Sequence, residues 1–153
     1  MPSLELKIPP PAVALAAALV MGWAGRYGVL ESVPLVWRVG AALVVAAIGA
    51  AFDVAGILAF RRAKTTVNPM KPEKSAALVS TGVYRITRNP MYVGMVFILL
   101  AWAVYLASPW ALFGPLVFAA YITRFQIKPE ERVLAARFGA EFASYLARVR
   151  RWL

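Results

Sequence analysis

Long apolar stretches without charged side chains dominate this sequence. From Asn89 to Thr123 the chain carries no Asp, Glu, Lys or Arg, and hydrophobic residues make up 61% of its 153 positions. Soluble domains contain roughly 45–50% apolar residues. A domain of this size has too little interior to hide the excess from water. We therefore expect lipid to be the solvent for much of the chain, as in an integral membrane protein.

The apolar stretches predict four membrane-spanning helices, at about 12–30, 34–60, 91–107 and 110–125. The second is long enough to cross ~30 Å of hydrocarbon with some tilt. Ser108-Pro109 separates the last two, which are short and read as a tight helical hairpin. Residues 129–152 predict an amphipathic C-terminal helix, because their large apolar side chains recur every three or four positions. The predicted fold is all-α, a single integral membrane domain over 1–153.

The basic residues predict how the chain is oriented. There are 17 Lys and Arg against 7 Asp and Glu, a net charge of +10. Seven of the basic residues lie in 61–88 and seven more in 124–151, and apolar stretches separate these clusters, which argues against nucleic-acid binding. The positive-inside rule places such clusters in the cytoplasm. We therefore expect a bacterial inner-membrane protein with both termini, the loop 61–90 and any active site on the cytoplasmic side.

Two missing residue types restrict the chemistry. The chain has no Cys and no His. It therefore has no thiolate nucleophile, no cysteine-held iron–sulfur cluster and no imidazole, the usual neutral-pH base and a common zinc ligand. We expect no metal site, and any catalysis would depend on carboxylates, Arg, Lys, Tyr, Asn and a bound cofactor.

The segment 81–94, at the start of the third predicted span, has the highest density of candidate ligand-binding residues. Asn89 suits a helix N-cap and Pro90 the first helical position, and a helix start of this kind attracts anions. Gly94 would allow a ligand or a neighbouring helix to approach closely. A well-anchored membrane helix without a ligand would explain the same pattern. The candidates for cofactor binding in this segment are Tyr84, Arg88, Asn89, Pro90, Tyr92 and Gly94.

An acidic pair, Glu130-Glu131, follows the fourth predicted span. Acidic residues in a first helical turn stabilise the helix dipole, which is one explanation for the pair. The fourth span, however, returns the chain to the surface where the third began, so the pair can face the helix start at Asn89. S-adenosylmethionine would suit such a site: its carboxylate matches the helix start and an Arg, its amine a Glu, and its sulfonium a tyrosine ring.

Two further features are weaker candidates. Asp53 lies about two turns inside the second predicted span, where a carboxylate is costly and is by default a functional hypothesis. Pairing with an Arg of another helix, or protonation, is the preferred explanation, because Arg61, Arg62 and Arg124 lie toward the same side. The hydroxyls of Thr65 and Thr66, ahead of Asn68-Pro69, could cap a helix or bind a ligand.

At these residues the chain resembles the isoprenylcysteine carboxyl methyltransferases and phospholipid N-methyltransferases. The resemblance covers roughly the last 90 residues, including a Thr-Thr-x-x-Pro stretch at 65–69. Asn89 stands where the eukaryotic members have His, so a titrating role at that position does not carry over. The matching positions are Gly82, Tyr84, Arg88, Asn89, Pro90, Tyr92, Gly94, Glu130, Glu131, Leu134, Phe138, Gly139, Tyr145, Arg148, Val149 and Trp152.

The resemblance implies S-adenosylmethionine as cofactor and a lipophilic acceptor that enters from the bilayer. Arg124 and Glu130 correspond loosely to residues of the family that act in the chemistry, so both are candidate catalytic residues here. Two alternatives stay open: an NADPH-dependent membrane reductase of the steroid or sterol reductase type, and a membrane protein that binds a small ligand without catalysis.

Overall fold

The computed structural model describes residues 4–30, 32–64 and 77–153, and within them every regular element is helical. The loop residues Thr65, Thr66, Asn68 and Pro69 lie outside the described residues. Five α-helices follow one another: α1 Pro10–Ala24, α2 Leu35–Arg62, α3 Pro90–Leu106, α4 Phe113–Ile122 and α5 Lys128–Arg148.

Two of the described helical segments are long and apolar enough to cross a membrane. They are Leu35–Arg62 and a continuous helical run over Pro109–Arg148, while Pro10–Ala24 and Pro90–Leu106 are apolar but shorter. The all-helical prediction is confirmed for the described residues, and the number of membrane crossings stays a prediction.

α1 ends six residues before the predicted end of the first span. Gly25 closes the helix after Ala24, and its N–H donates to the carbonyl of Met21. The following residues turn towards the end of α3 instead of extending the helix. Ser108 Oγ donates to Tyr27 O at 2.7 Å, and Leu30 N donates to Ala107 O at 2.8 Å. The turn at Ser108-Pro109 is thereby fixed to the end of α1.

α2 and α3 pack closely because small residues line their interface. A Cβ added to Gly49 would lie 2.8 Å from the carbonyl oxygen of Gly94, closer than real Cβ contacts. A Cβ added to Gly94 would overlap the carboxylate of Asp53. Small residues allow helix backbones in a membrane to approach and pack by van der Waals contact. Gly94 therefore serves the contact between two helices, which is one of the two roles its position in the sequence allowed.

Replacing Gly94 with alanine is expected to destabilise the fold by about 1–3 kcal/mol, the usual cost of forcing extra volume into a packed interface. Gly40→Ala is the matched control, because Gly40 lies in α2, the helix that packs on α3, and a Cβ there meets nothing within 4 Å. Thermal unfolding in detergent would measure both. Equal melting temperatures for the two variants would contradict the close α2–α3 contact.

The fourth span and the C-terminal helix are joined without a break, whereas the sequence predicted two separate helices. α4 continues through a π-helical turn at Thr123–Ile127 into α5. Pro129 has no N–H to donate to the carbonyl of Phe125 four positions earlier, and that carbonyl accepts from Leu6 N at 3.0 Å instead. α5 itself breaks in its middle at Gly139, whose φ of 48° and ψ of −120° are accessible mainly to glycine.

Two apolar clusters hold the helices together. The larger includes Met21 of α1, Leu99 of α3 and Phe118 of α4, all almost fully buried. The smaller joins α5 to the segment before α3, through Val79, Tyr84, Phe142 and Tyr145. This second cluster brings the C-terminal helix back over the start of α3.

Candidate active site

The C-terminal residues lie against the start of α3 through backbone hydrogen bonds. The Arg88 N–H donates to Arg150 O at 2.9 Å. The carbonyl oxygen of Arg151 accepts from Thr87 Oγ1 at 3.1 Å and from Asn89 Nδ2 at 2.9 Å. Residues that are more than 60 positions apart thus form one surface.

Asn89 occupies the N-cap position of α3, but its side chain does not cap the helix. That side chain donates to the tail, as described above, and forms no capping hydrogen bond. The backbone carbonyl of Asn89 accepts hydrogen bonds from the N–H groups of Tyr92 and Val93, and Pro90 has no backbone N–H. The predicted anion site at the helix start is therefore reduced, because most of its donors are already used.

Glu130 is the centre of a hydrogen-bonded group between α3 and α5. The Tyr92 hydroxyl lies 3.1 and 3.2 Å from the two oxygens of the Glu130 carboxylate, and Gln126 Nε2 donates to Oε1 at 3.0 Å. Glu130 lies in the first turn of α5, beyond the apolar part of the helix. Burial raises the pKa of this carboxyl to about 8, although both hydrogen bonds act to lower it. A carboxyl of this kind can exchange a proton near neutral pH.

Glu131 is held between two arginines. Arg88 approaches Oε1 at 3.3 Å, and Arg151 donates to both carboxylate oxygens at 3.0 and 2.7 Å. The side chains of Glu131 and Arg88 are 18% and 13% exposed, so the group is largely withdrawn from water. Arg88 Nε is also buried, and it has no hydrogen-bond partner among the described residues. A buried donor without an acceptor is costly, so this nitrogen is a candidate contact for an anionic ligand group.

Tyr84 is buried in the second apolar cluster. Its carbonyl accepts from the Tyr145 hydroxyl at 2.7 Å, and its ring meets that of Phe60 edge-to-face at 5.5 Å. Burial raises the pKa of the Tyr84 hydroxyl, and the charges of Tyr145 and Glu130 raise it further. The direct contacts of Tyr84 are with Tyr145 and Phe60, and they serve packing.

Two predicted site residues, Arg124 and Gly94, do not contact Glu130 or Glu131. Arg124 is 57% exposed and donates to Glu5 at 3.0 Å, with its guanidinium 5.3 Å from the ring centre of Phe125. Gly94 packs against α2 through Asp53 and Gly49. Asp53 forms no ion pair within the described part of the chain, and its Oδ1 is buried there without a partner.

Gln126 and Arg151 were not among the residues predicted for the site. Gln126 lies four positions before Glu130, a spacing at which helical side chains meet, and this signal was available. Arg151 reaches Glu131 only because α5 breaks at Gly139 and the chain end returns across the helix start. No local pattern indicates that contact.

Comparisons with known proteins identify the family of this chain. The family model described as phospholipid methyltransferase matches residues 37–141, more than half of the chain. An uncharacterized protein of Haemophilus influenzae is 43% identical over 63 residues, which cover 41% of this chain and all of that protein. No solved structure matches the chain. The chain belongs to the phospholipid methyltransferase family.

Proposed function

We propose that this protein transfers a methyl group from S-adenosylmethionine to a lipophilic acceptor, at the cytoplasmic surface of a membrane. The observation that carries the proposal is the partly buried Glu130 carboxyl, which Tyr92 and Gln126 hold beside the Arg88–Glu131 ion pair. Membership of a methyltransferase family supports methyl transfer over NADPH-dependent reduction.

The residues present suit the charged groups of the cofactor. Arg88 Nε offers a buried N–H without an acceptor among the described residues, which matches a carboxylate. Glu130 offers a carboxyl group that can bind an ammonium group or a hydroxyl, and Tyr92 places a ring next to it. When bound, S-adenosylmethionine supplies an electrophilic methyl carbon on a sulfonium. The protein's own contribution is to hold this group and the acceptor in line and to keep water away.

The acceptor decides what Glu130 has to do. A carboxylate acceptor needs no base, whereas an amine, thiol or hydroxyl must lose a proton as the new bond forms. Glu130, with its pKa raised to about 8 by burial, is the group that takes this proton. We propose that Arg88, Tyr92, Glu130 and Tyr84 form the site. Glu131, Asn89 and Pro90 hold these residues in position. Arg124 is left out of the chemistry, because its contacts are to Glu5 and Phe125.

The proposed topology follows from the same site. α5 and the segment before α3 carry the basic clusters, and these two elements meet at one end of the bundle. By the positive-inside rule, we propose that this end lies in the cytoplasm. α1 to α4 are then the four proposed spans, and both termini lie on the side of the site.

Titration calorimetry of the detergent-solubilised protein with S-adenosylmethionine tests the proposal. We expect binding, and we expect Arg88→Lys to weaken it by about ten- to hundredfold, because lysine keeps the charge near Glu131 but loses the Nε–H donor. Arg132→Lys is the matched control, since Arg132 is 60% exposed and contacts Glu5.

Transfer of a radiolabelled methyl group to a lipid extract is the second measurement. Failure of S-adenosylmethionine to bind the wild-type protein under conditions where NADPH binds would refute the proposed function in favour of the reductase.

A further inference from the structure

An apolar cleft of about 800 Å³ lies between α1 and α4, apart from the proposed active site. Its wall includes Val13 and Val20 of α1 and Val117 of α4, with Phe118 at its floor. None of the residues that line the cleft belongs to the proposed active site. The cleft is therefore a separate recess between α1 and α4.

The length of the cleft matches one leaflet of a bilayer. It follows α1 from Val13 past Ala24, a rise of about 16 Å along the helix. Half of a hydrocarbon core of ~30 Å is about the same distance. An extended acyl chain from a single leaflet would fill such a recess with apolar contacts only.

One end of the cleft carries an unsatisfied polar atom. Tyr121 lines the cleft, and its hydroxyl is buried without a hydrogen-bond partner among the described residues. Its ring packs on Phe125 at 4.8 Å between ring centres. A buried hydroxyl without a partner costs free energy, and a turn of the Tyr121 side chain towards the cleft would let an ester or glycerol oxygen of a bound lipid accept its hydrogen bond.

The same end carries a basic group. Among the described residues, Arg124 and Arg132 share the single carboxylate of Glu5, so two basic groups lie on one acidic group. Both arginines are more than half exposed, at 57% and 60%. The N–H of Leu6 donates to Phe125 O at 3.0 Å, which fixes this group next to Tyr121 and Phe125. A phosphate at this end would meet the guanidinium groups directly.

From this arrangement we infer that the cleft binds one phospholipid of the surrounding leaflet, preferably an anionic one. One acyl chain lies along α1 and α4, the glycerol and ester groups meet Tyr121, and the phosphate meets Arg124 and Arg132. The inference goes beyond methyl transfer and does not require it, because none of these residues belongs to the proposed site.

Photo-crosslinking in lipid nanodiscs tests this inference without any cofactor. A benzophenone side chain is introduced at Val117 in the cleft or, as the matched control, at Val44, which lies in α2 outside the cleft. The two positions are 65% and 64% exposed. In discs of equal phosphatidylglycerol and phosphatidylcholine, we expect the Val117 adducts to be enriched in phosphatidylglycerol about fivefold over the Val44 adducts, the preference that one net basic charge near the surface confers.

Three variants separate this role from simple packing. The pair Arg124→Gln and Arg132→Gln is expected to remove the enrichment, whereas Glu5→Gln is expected to increase it, because it releases both arginines for the phosphate. Tyr121→Phe is expected to lower the adduct yield without lowering the melting temperature. Equal lipid composition at Val117 and Val44, enrichment that survives loss of both arginines, or adducts to a second protein copy in place of lipid would each overturn the inference.

Discussion

Replacing Glu130 with glutamine is expected to lower the rate of methyl transfer by about 10²–10⁴-fold, the usual contribution of a positioned acid–base group. Glutamine has nearly the same shape and keeps an oxygen that can accept the hydrogen bond from Tyr92. The fold should therefore survive, and the loss should come from the missing carboxylate. Comparing the cofactor affinity and the turnover of the variant separates a role in binding from a role in proton transfer.

The pH dependence of the rate and of the stability tests the role of Glu130 independently. If Glu130 takes a proton from the acceptor, the wild-type rate should rise with pH and level off above about 8, where the carboxyl is ionised. Stability should change in the opposite direction. Because the pKa is higher in the folded state than its ordinary 4.5, the contribution of this group is fully present below about 4.5 and is lost as pH rises to about 8.

In Glu130→Gln both trends should be absent. Melting temperatures in detergent between pH 5 and 9, measured beside the rate profile, provide the check. A variant with wild-type turnover and cofactor affinity at every pH would show that Glu130 has no part in the reaction.

The sequence was sufficient to place the two halves of the candidate site together. The apolar stretches and the basic clusters indicated that the end of α4 returns to the start of α3, and Glu130 and Tyr92 are in contact. This inference depended only on the number of times the chain reverses direction. It did not require the side-chain geometry.

The side-chain roles could not be read in the same way. Asn89 stands at the N-cap, a position that predicted a capping side chain, yet that side chain donates to the carbonyl of Arg151. The partner is 62 residues away in the sequence, and local helix propensity gives no information about a contact at that separation. Arg124 was a candidate because it corresponds loosely to a residue of the family that acts in the chemistry, but it lies in a π-helical turn and pairs with Glu5. A wider turn changes the direction in which each side chain points, and local sequence patterns do not predict it.

Glu131→Gln is the second change with a large expected effect, and its cause is structural. The variant leaves Arg88 and Arg151 close together without their shared carboxylate. Removing one partner of a buried ion pair costs about 3–5 kcal/mol. The side chain of Arg151 is 34% exposed, so solvent will screen part of this and we expect a loss of about 2–3 kcal/mol in the free energy of unfolding.

Glu5→Gln is the matched control, because Glu5 also joins two arginines, Arg124 and Arg132, but at the exposed surface. Exposed ion pairs contribute little and are screened by salt, so its effect should be much smaller and should shrink further at high ionic strength. Denaturant unfolding of both variants at low and high salt measures the difference. Breaking a largely buried ion-pair group must cost more free energy than breaking an exposed one. If the two glutamine variants lose the same stability, the Arg88–Glu131–Arg151 group does not hold the chain end over α3.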